Sequence, residues 1–208
     1  MSLYRSAALA IAAVFSLAGC VATSPPESGF LTDYSGLARE AGQRGVWVYR
    51  NPKTTYAEYQ RVIIDPFVVG IGPHKANALV SVEDLAKLGR YMHDQVAKIV
   101  AEHYPVVETP GKGTLRLRVA LTHLAPSSGP DSAGASSGFL QGLALGGVSF
   151  EGETLDSLTG ERIHAFVAVD QSRTSNSSAS SRWSQASAAM DDFGRCFRVE
   201  LDKAHATK

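Results

Sequence analysis

Leu115-Arg116-Leu117-Arg118-Val119-Ala120-Leu121-Thr122 alternates large apolar residues with polar or small ones at every step. Successive side chains of a β-strand point to opposite faces, so a period of two puts Leu115, Leu117, Val119 and Leu121 on one buried face. Arg116, Arg118, Ala120 and Thr122 fall on the other, which is expected to meet water, as one side of an antiparallel sheet does. The two arginines could form a basic rung for a glycan, phosphate or acidic partner; a solvated outer face is the simpler reading.

Downstream, Val148 to Leu155 and Glu161 to Asp170 flank the turn-forming Asp156-Ser157-Leu158-Thr159-Gly160, which predicts a hairpin. Ile163, Ala165, Val167 and Val169 share one face of its second strand, leaving His164, Phe166 and Ala168 on the other, with His164 at the surface or an interface. Ser172 to Ser181 reads as a mobile serine-rich connection. Beyond it Trp183, Ala186, Met190, Phe193, Phe197 and Leu201 recur at helical spacing, opposite Arg182, Asp191, Asp192, Arg195, Arg198 and Glu200. Cys196, beside Phe193 and Phe197, reads as a buried thiol, with an intermolecular disulfide as the alternative.

Upstream, Ser81-Val82-Glu83-Asp84 resembles a capping box, and Val82, Leu85, Leu88, Met92, Val96, Ile99 and His103 form one apolar stripe. His93 and His103 are ten residues apart and make no chelating pair, so no metal site is expected. Val46-Trp47-Val48-Tyr49 and Tyr59 to Val69 are β-prone, and Pro66, lacking a ladder N–H, implies a bulge or an edge. Gly70-Ile71-Gly72-Pro73 lacks the third glycine and the helix start of a dinucleotide fingerprint. The order β-β-α-β-β-β-α predicts an α+β domain: an antiparallel or mixed sheet of four to five strands with two amphipathic helices on one face.

The N-terminus carries a different kind of signal. Arg5 is followed by thirteen small or apolar residues, Ala7 to Gly19, too few for a membrane span but suited to a secretory leader. The leader closes on Leu17-Ala18-Gly19-Cys20, which resembles the bacterial lipobox, where the cysteine receives a diacylglyceryl group and the leader is cut before it. Residues 1–19 then read as a lipoprotein signal peptide, 20–28 as the lipidated cysteine and a polar, proline-containing tether, and 29–204 as one domain. Val21 after the cysteine favours the outer membrane, with the domain on the periplasmic side. Each buried methylene contributes about 0.8 kcal/mol, so two or more acyl chains, such as palmitate, anchor for long times.

Next, Ser28 to Leu37 sets Phe30, Leu31, Tyr34 and Leu37 among turn formers and is expected to dock on the domain as a clasp. Gly-Phe-Leu-Thr-Asp-Tyr-Ser-Gly-Leu at 29–37, Tyr59 to Pro66, Asp156 to Glu161 and Arg182-Trp183 together resemble a bacterial family of lipoproteins grouped as domain of unknown function 3313. That resemblance implies an envelope lipoprotein and brings no activity or catalytic residues.

Composition narrows the classes further. Twenty basic and twenty acidic residues give no net charge, so no field gathers nucleic acid. Only two cysteines occur, which excludes a dense disulfide framework. Residues 125–147 form a Gly/Ser-rich insertion in which Gly134-Ala135-Ser136-Ser137-Gly138 matches a nucleophile elbow without the strand that should precede it. Asp156 and His164 follow Ser136 in hydrolase order, yet both fall in the expected hairpin. Gly138, Phe139, Gly142 and Gly146 mark a candidate interaction segment, because the glycines would share one face of a helix.

The expectation is therefore a non-enzymatic binding or assembly accessory without cofactor, held to the membrane by its lipid anchor and working with a periplasmic protein partner. A serine hydrolase using Ser136 and a self-assembling lipoprotein using the Gly-rich segment are the alternatives. The oligomeric state is not legible.

Overall fold

A computed structural model describes residues 24–43, 45–70, 82–126, 145–169 and 180–206. Its elements in chain order are β1 (Ala38–Arg39), β2 (Val46–Arg50), β3 (Arg61–Ile64), β4 (Val68–Val69), α1 (Val82–Val100), β5 (Thr114–Pro126), β6 (Leu145–Asp156), β7 (Arg162–Ala168) and α2 (Ser180–Ala206). They build a mixed sheet of seven strands in the order β1-β2-β7-β6-β5-β3, with β4 also paired to β5. The α+β class stands, but the strand count exceeds the expected four to five for two reasons. Pro66 splits one edge strand into β3 and β4, both parallel to β5. β1 has only two residues, both exposed, and is too short to show a period.

β5 carries Leu115, Leu117, Val119 and Leu121 inward, each no more than 2% exposed. Against them lie Leu88, Met92, Val96 and Val100 of α1 and Phe197 and Leu201 of α2. Each such side chain contributes about 1.5–3 kcal/mol on burial, which is what holds an amphipathic helix that propensity alone would not. Both helices thus share one face of the sheet. They also meet each other at Gly194, where an added Cβ would lie 3.1 Å from Ile99 Cδ1. At Gly89 the approach of α1 to the edge strand is closer still: a Cβ would stand 2.6 Å from the Phe67 carbonyl oxygen.

The hairpin β6–β7 forms as expected, and Asp156 closes it. Its Oδ1 accepts from the N–H groups of Leu158 and Thr159 at 2.9 and 2.8 Å and from the Thr159 hydroxyl. Burial pushes this carboxyl up, but these bonds and one from Tyr59 hold it below the usual range.

Four local expectations are corrected. The insertion is shorter than 125–147, because Ala125 pairs with Gly147 and Pro126 with Leu145 in the β5–β6 ladder. Ser180 and Ser181 belong to α2 rather than to the serine-rich connection. Cys196 is exposed, since Phe197 and Leu201, one turn apart, face the core and Cys196 sits about 100° round the helix from Phe197. His103 lies beyond the end of α1, half-exposed, with Nδ1 3.0 Å from Asp202 of α2.

Candidate functional site

On the face of the sheet opposite the helices, the central strand does not meet water. Residues 149–154 of β6 are all buried, so both sides of this strand are covered. On the second side sit Ser149, Glu151 and Glu153, with the two carboxylates only 2% and 3% exposed. A buried carboxylate costs several kcal/mol unless its oxygens are met by donors. Most of those donors come from the N-terminal segment.

Ser28 to Leu37 lies across this face as the expected clasp. Glu151 Oε2 accepts a 2.5 Å hydrogen bond from the Tyr34 hydroxyl, and Oε1 accepts one of 3.0 Å from the Ser28 N–H. The Tyr34 oxygen in turn accepts from the N–H groups of Ser28 and Gly29 at 3.1 and 3.0 Å. Burial, then the bond to Glu151, raises the Tyr34 pKa, so the phenol stays protonated as the donor. Leu31, 2% exposed, seals the apolar part of the contact with Trp47, Ala165 and Val167, and Phe30, Tyr34 and Leu37 pack around them.

Two arginines fasten the rest of the clasp. Arg118 donates to Glu153 at 2.5 Å and lies 5.2 Å from the Phe30 ring centroid. Arg162 donates to the Asp33 carbonyl, lies 3.2 Å from Asp33 Oδ2 and from the Ser35 carbonyl, and stacks 4.4 Å from the centroid of Tyr49. Hydrogen bonds from Ser35, more than Arg162 itself, hold the Asp33 carboxyl below its usual range. Arg116, the other residue of the expected basic rung, is 3.3 Å from Asp65 in an ion pair without an aligned hydrogen bond. Both rung arginines are therefore paired within the fold rather than presented to a ligand.

Between clasp and hairpin an open cleft of about 280 Å³ is lined by Thr32, Asp33, Arg118, Glu153, Leu155, Gly160 and Arg162. Its two cations face two carboxylates, so the charges close on one another. The chemistry here is fastening: a segment some 120 residues away in sequence is held to the β6–β7 hairpin by hydrogen bonds to a carboxylate, by one ion pair, Arg162 to Asp33, and by an apolar seal.

Residues singled out from the sequence are scattered with respect to this site. Cys20, Ser136, Gly138, Phe139 and Gly142 lie outside the described residues, and Gly146 lies in β6, on a strand rather than on a helix. His164 is half-buried rather than on an open surface. It lies on the helix side of β7, with ring centroids 6.2 Å from Tyr56 and 6.5 Å from Phe166. Burial, then the neighbouring Arg50, pushes its pKa down to about 4. Phe166 continues the layer to Phe193 of α2 at 5.5 Å, which is why a face that alternation left open is covered. Asp156, the other residue in hydrolase order, is spent on the hairpin turn. Among the described residues no group of three or more His, Cys, Asp or Glu side chains could hold a metal ion. Glu151 and Glu153 were missed because Glu-Gly-Glu-Thr reads as a polar strand end; the only pointer was that Phe30, Leu31 and Tyr34 had to dock somewhere.

A family model described as "Protein of unknown function (DUF3313)" matches residues 26–197, from just ahead of the clasp into α2. The uncharacterized lipoprotein YdcL of Escherichia coli K12 is 29% identical over 118 residues, 54% of this chain and 53% of YdcL. Its counterpart in Escherichia coli O157:H7 aligns to the same extent. The aligned stretch thus spans about half the length of these curated relatives. Among solved structures, a PelC dodecamer from Paraburkholderia phytofirmans superposes with a TM-score of 0.40 at 11% identity, over 70% of this chain and 94% of that one. A Xanthomonas campestris protein of the DUF330 family gives 0.42 at 12%, over 74% and 91%. Superpositions of that quality carry no functional argument.

Proposed function

The chain belongs to the DUF3313 family of proteins of unknown function, and from that premise we propose that it is an envelope lipoprotein, anchored through lipid on Cys20. It sits on the periplasmic side of the outer membrane and acts as a non-enzymatic binding or assembly accessory for a periplasmic protein. The observation that carries this reading is the docked clasp. The stretch that follows the lipobox and its tether is fixed to the central strand through Glu151, so an anchor at Cys20 would hold the whole domain rather than a loose tail. The lipoprotein name of the Escherichia coli relatives supports the anchor.

Two experiments test it. Cells fed labelled palmitate should incorporate label into the wild-type chain and not into Cys20→Ser, which should fold normally and leave the membrane fraction. Continued labelling of the variant refutes the anchor. Periplasmic crosslinking followed by capture should recover a protein partner from the anchored chain above the Cys20→Ser background. Recovery of none, together with fluorophosphonate labelling that disappears in Ser136→Ala, would replace the accessory reading with the hydrolase one.

A further inference from the structure

The docked clasp sets how far the domain can stand from its anchor. Cys20 and Ser28 are separated by eight residue steps, and Ser28 is already bound to Glu151 in the middle of the sheet's second face. A fully extended chain covers at most about 3.6 Å per residue, so the tether reaches no more than about 29 Å. We infer that the clasp face of the sheet is turned toward the lipid surface, with the α1–α2 face pointing away from it. This inference rests on lipidation at Cys20.

The alternative orientation is geometrically costly. To bring the helices to the membrane, the tether would have to run from mid-sheet round an edge. The nearer edge strand, β3, lies two strands from β6, ~10 Å at ~4.8 Å per strand. The helix layer adds its own diameter of ~10–12 Å. Together these take up about 20–22 Å of the tether's ~29 Å, whereas the clasp face needs none of it.

The exposed residues of the clasp agree with a surface that faces lipid headgroups without entering the bilayer. Glu27, Gly29, Thr32, Asp33, Ser35 and Gly36 are exposed, and none is basic or large and apolar. The clasp itself therefore supplies neither insertion nor attraction to anionic lipid, and tether length sets the orientation. The surface left to a soluble partner is then the outer side of α1 and α2, where the exposed Cys196 provides a reporter. Because Cys20 would carry lipid, Cys196 is the one remaining thiol of the mature chain.

The test uses the full lipidated protein in liposomes containing a headgroup-attached nitroxide quencher. One sample carries a fluorophore on Cys196, the other on Thr32→Cys in a Cys196→Ser background. The Thr32 probe should be strongly quenched and the Cys196 probe weakly. The contrast should persist when neutral vesicles replace anionic ones and be lost when twenty Gly/Ser residues are inserted after Ser24. Equal quenching at the two sites, stronger quenching at Cys196, a contrast confined to anionic vesicles, or one that survives the insertion would each overturn the inference. Failure of the lipid anchor is seen separately, as absence of palmitate label and failure to float with the liposomes.

Discussion

Removing one hydroxyl from the clasp tests the fastening directly. In Tyr34→Phe, Glu151 Oε2 loses the 2.5 Å bond that satisfies it, while the residue stays 2% exposed. A hydrogen bond to a charged group contributes about 1.5–3 kcal/mol, and leaving such a group unsatisfied in a buried site adds to the loss. Gly29 and Ser28 also lose the oxygen their N–H groups bind, although both lie near solvent and can turn to water. The expected destabilisation of the docked clasp is about 2–3 kcal/mol. Hydrogen exchange should show it as faster exchange at residues 28–37, while the amides of α1 and β5 keep their protection relative to global unfolding.

Glu151→Gln completes a double-mutant cycle. A glutamine can still accept from the Ser28 N–H, so combined with Tyr34→Phe it should cost less than it does alone, giving a coupling of about 1–2 kcal/mol. Near-additive effects, or a Tyr34→Phe variant whose clasp exchanges no faster than wild type, would refute the account of Glu151 as the clasp's anchor point.

Other consequences follow from the same packing. Gly89→Ala gains about 1 kcal/mol of helix propensity but forces a Cβ to 2.6 Å from the Phe67 carbonyl, an overpacking that costs ~1–3 kcal/mol; the urea midpoint should fall, and a rise would show that α1 can shift freely. Arg118→Met strands Glu153, 4% exposed at its side chain, and should cost about 2–3 kcal/mol, less than a fully buried pair because Arg118 is one-third exposed; Glu153→Gln in the same background should recover part of it. His164 stays neutral in the folded protein down to about pH 4, whereas the unfolded chain takes up its proton below 6.5. Stability present above pH 6.5 is therefore lost progressively as the pH falls toward 4, by ~3 kcal/mol in all. Denaturant midpoints at pH 7 and pH 4.5 should separate wild type from His164→Phe, which lacks this loss; parallel pH profiles would contradict the burial of His164.

Much of this protein was determined by the sequence alone. The period of two at Leu115 to Leu121, the apolar stripe of α1 and the turn at Asp156 to Gly160 each follow from neighbours along the chain, because strand alternation, helical spacing and turn chemistry are local. The resemblance of Leu17 to Cys20 to a lipobox and the need for Phe30, Leu31 and Tyr34 to dock are equally local. What only the tertiary structure decided is where distant segments come to rest. Alternation shows that a strand has two faces; whether the second is wet depends on what returns to cover it. Here the clasp covers Glu151 and Glu153, and Tyr56 and Phe166 flank His164, so residues that read as polar surface became covered groups, the two carboxylates needing partners. The parallel pairing of β3 with β5 and the exposure of Cys196 belong to the same class. Each turns on how one element is set against another, a choice fixed by the packing of the whole domain and not by any window of its sequence.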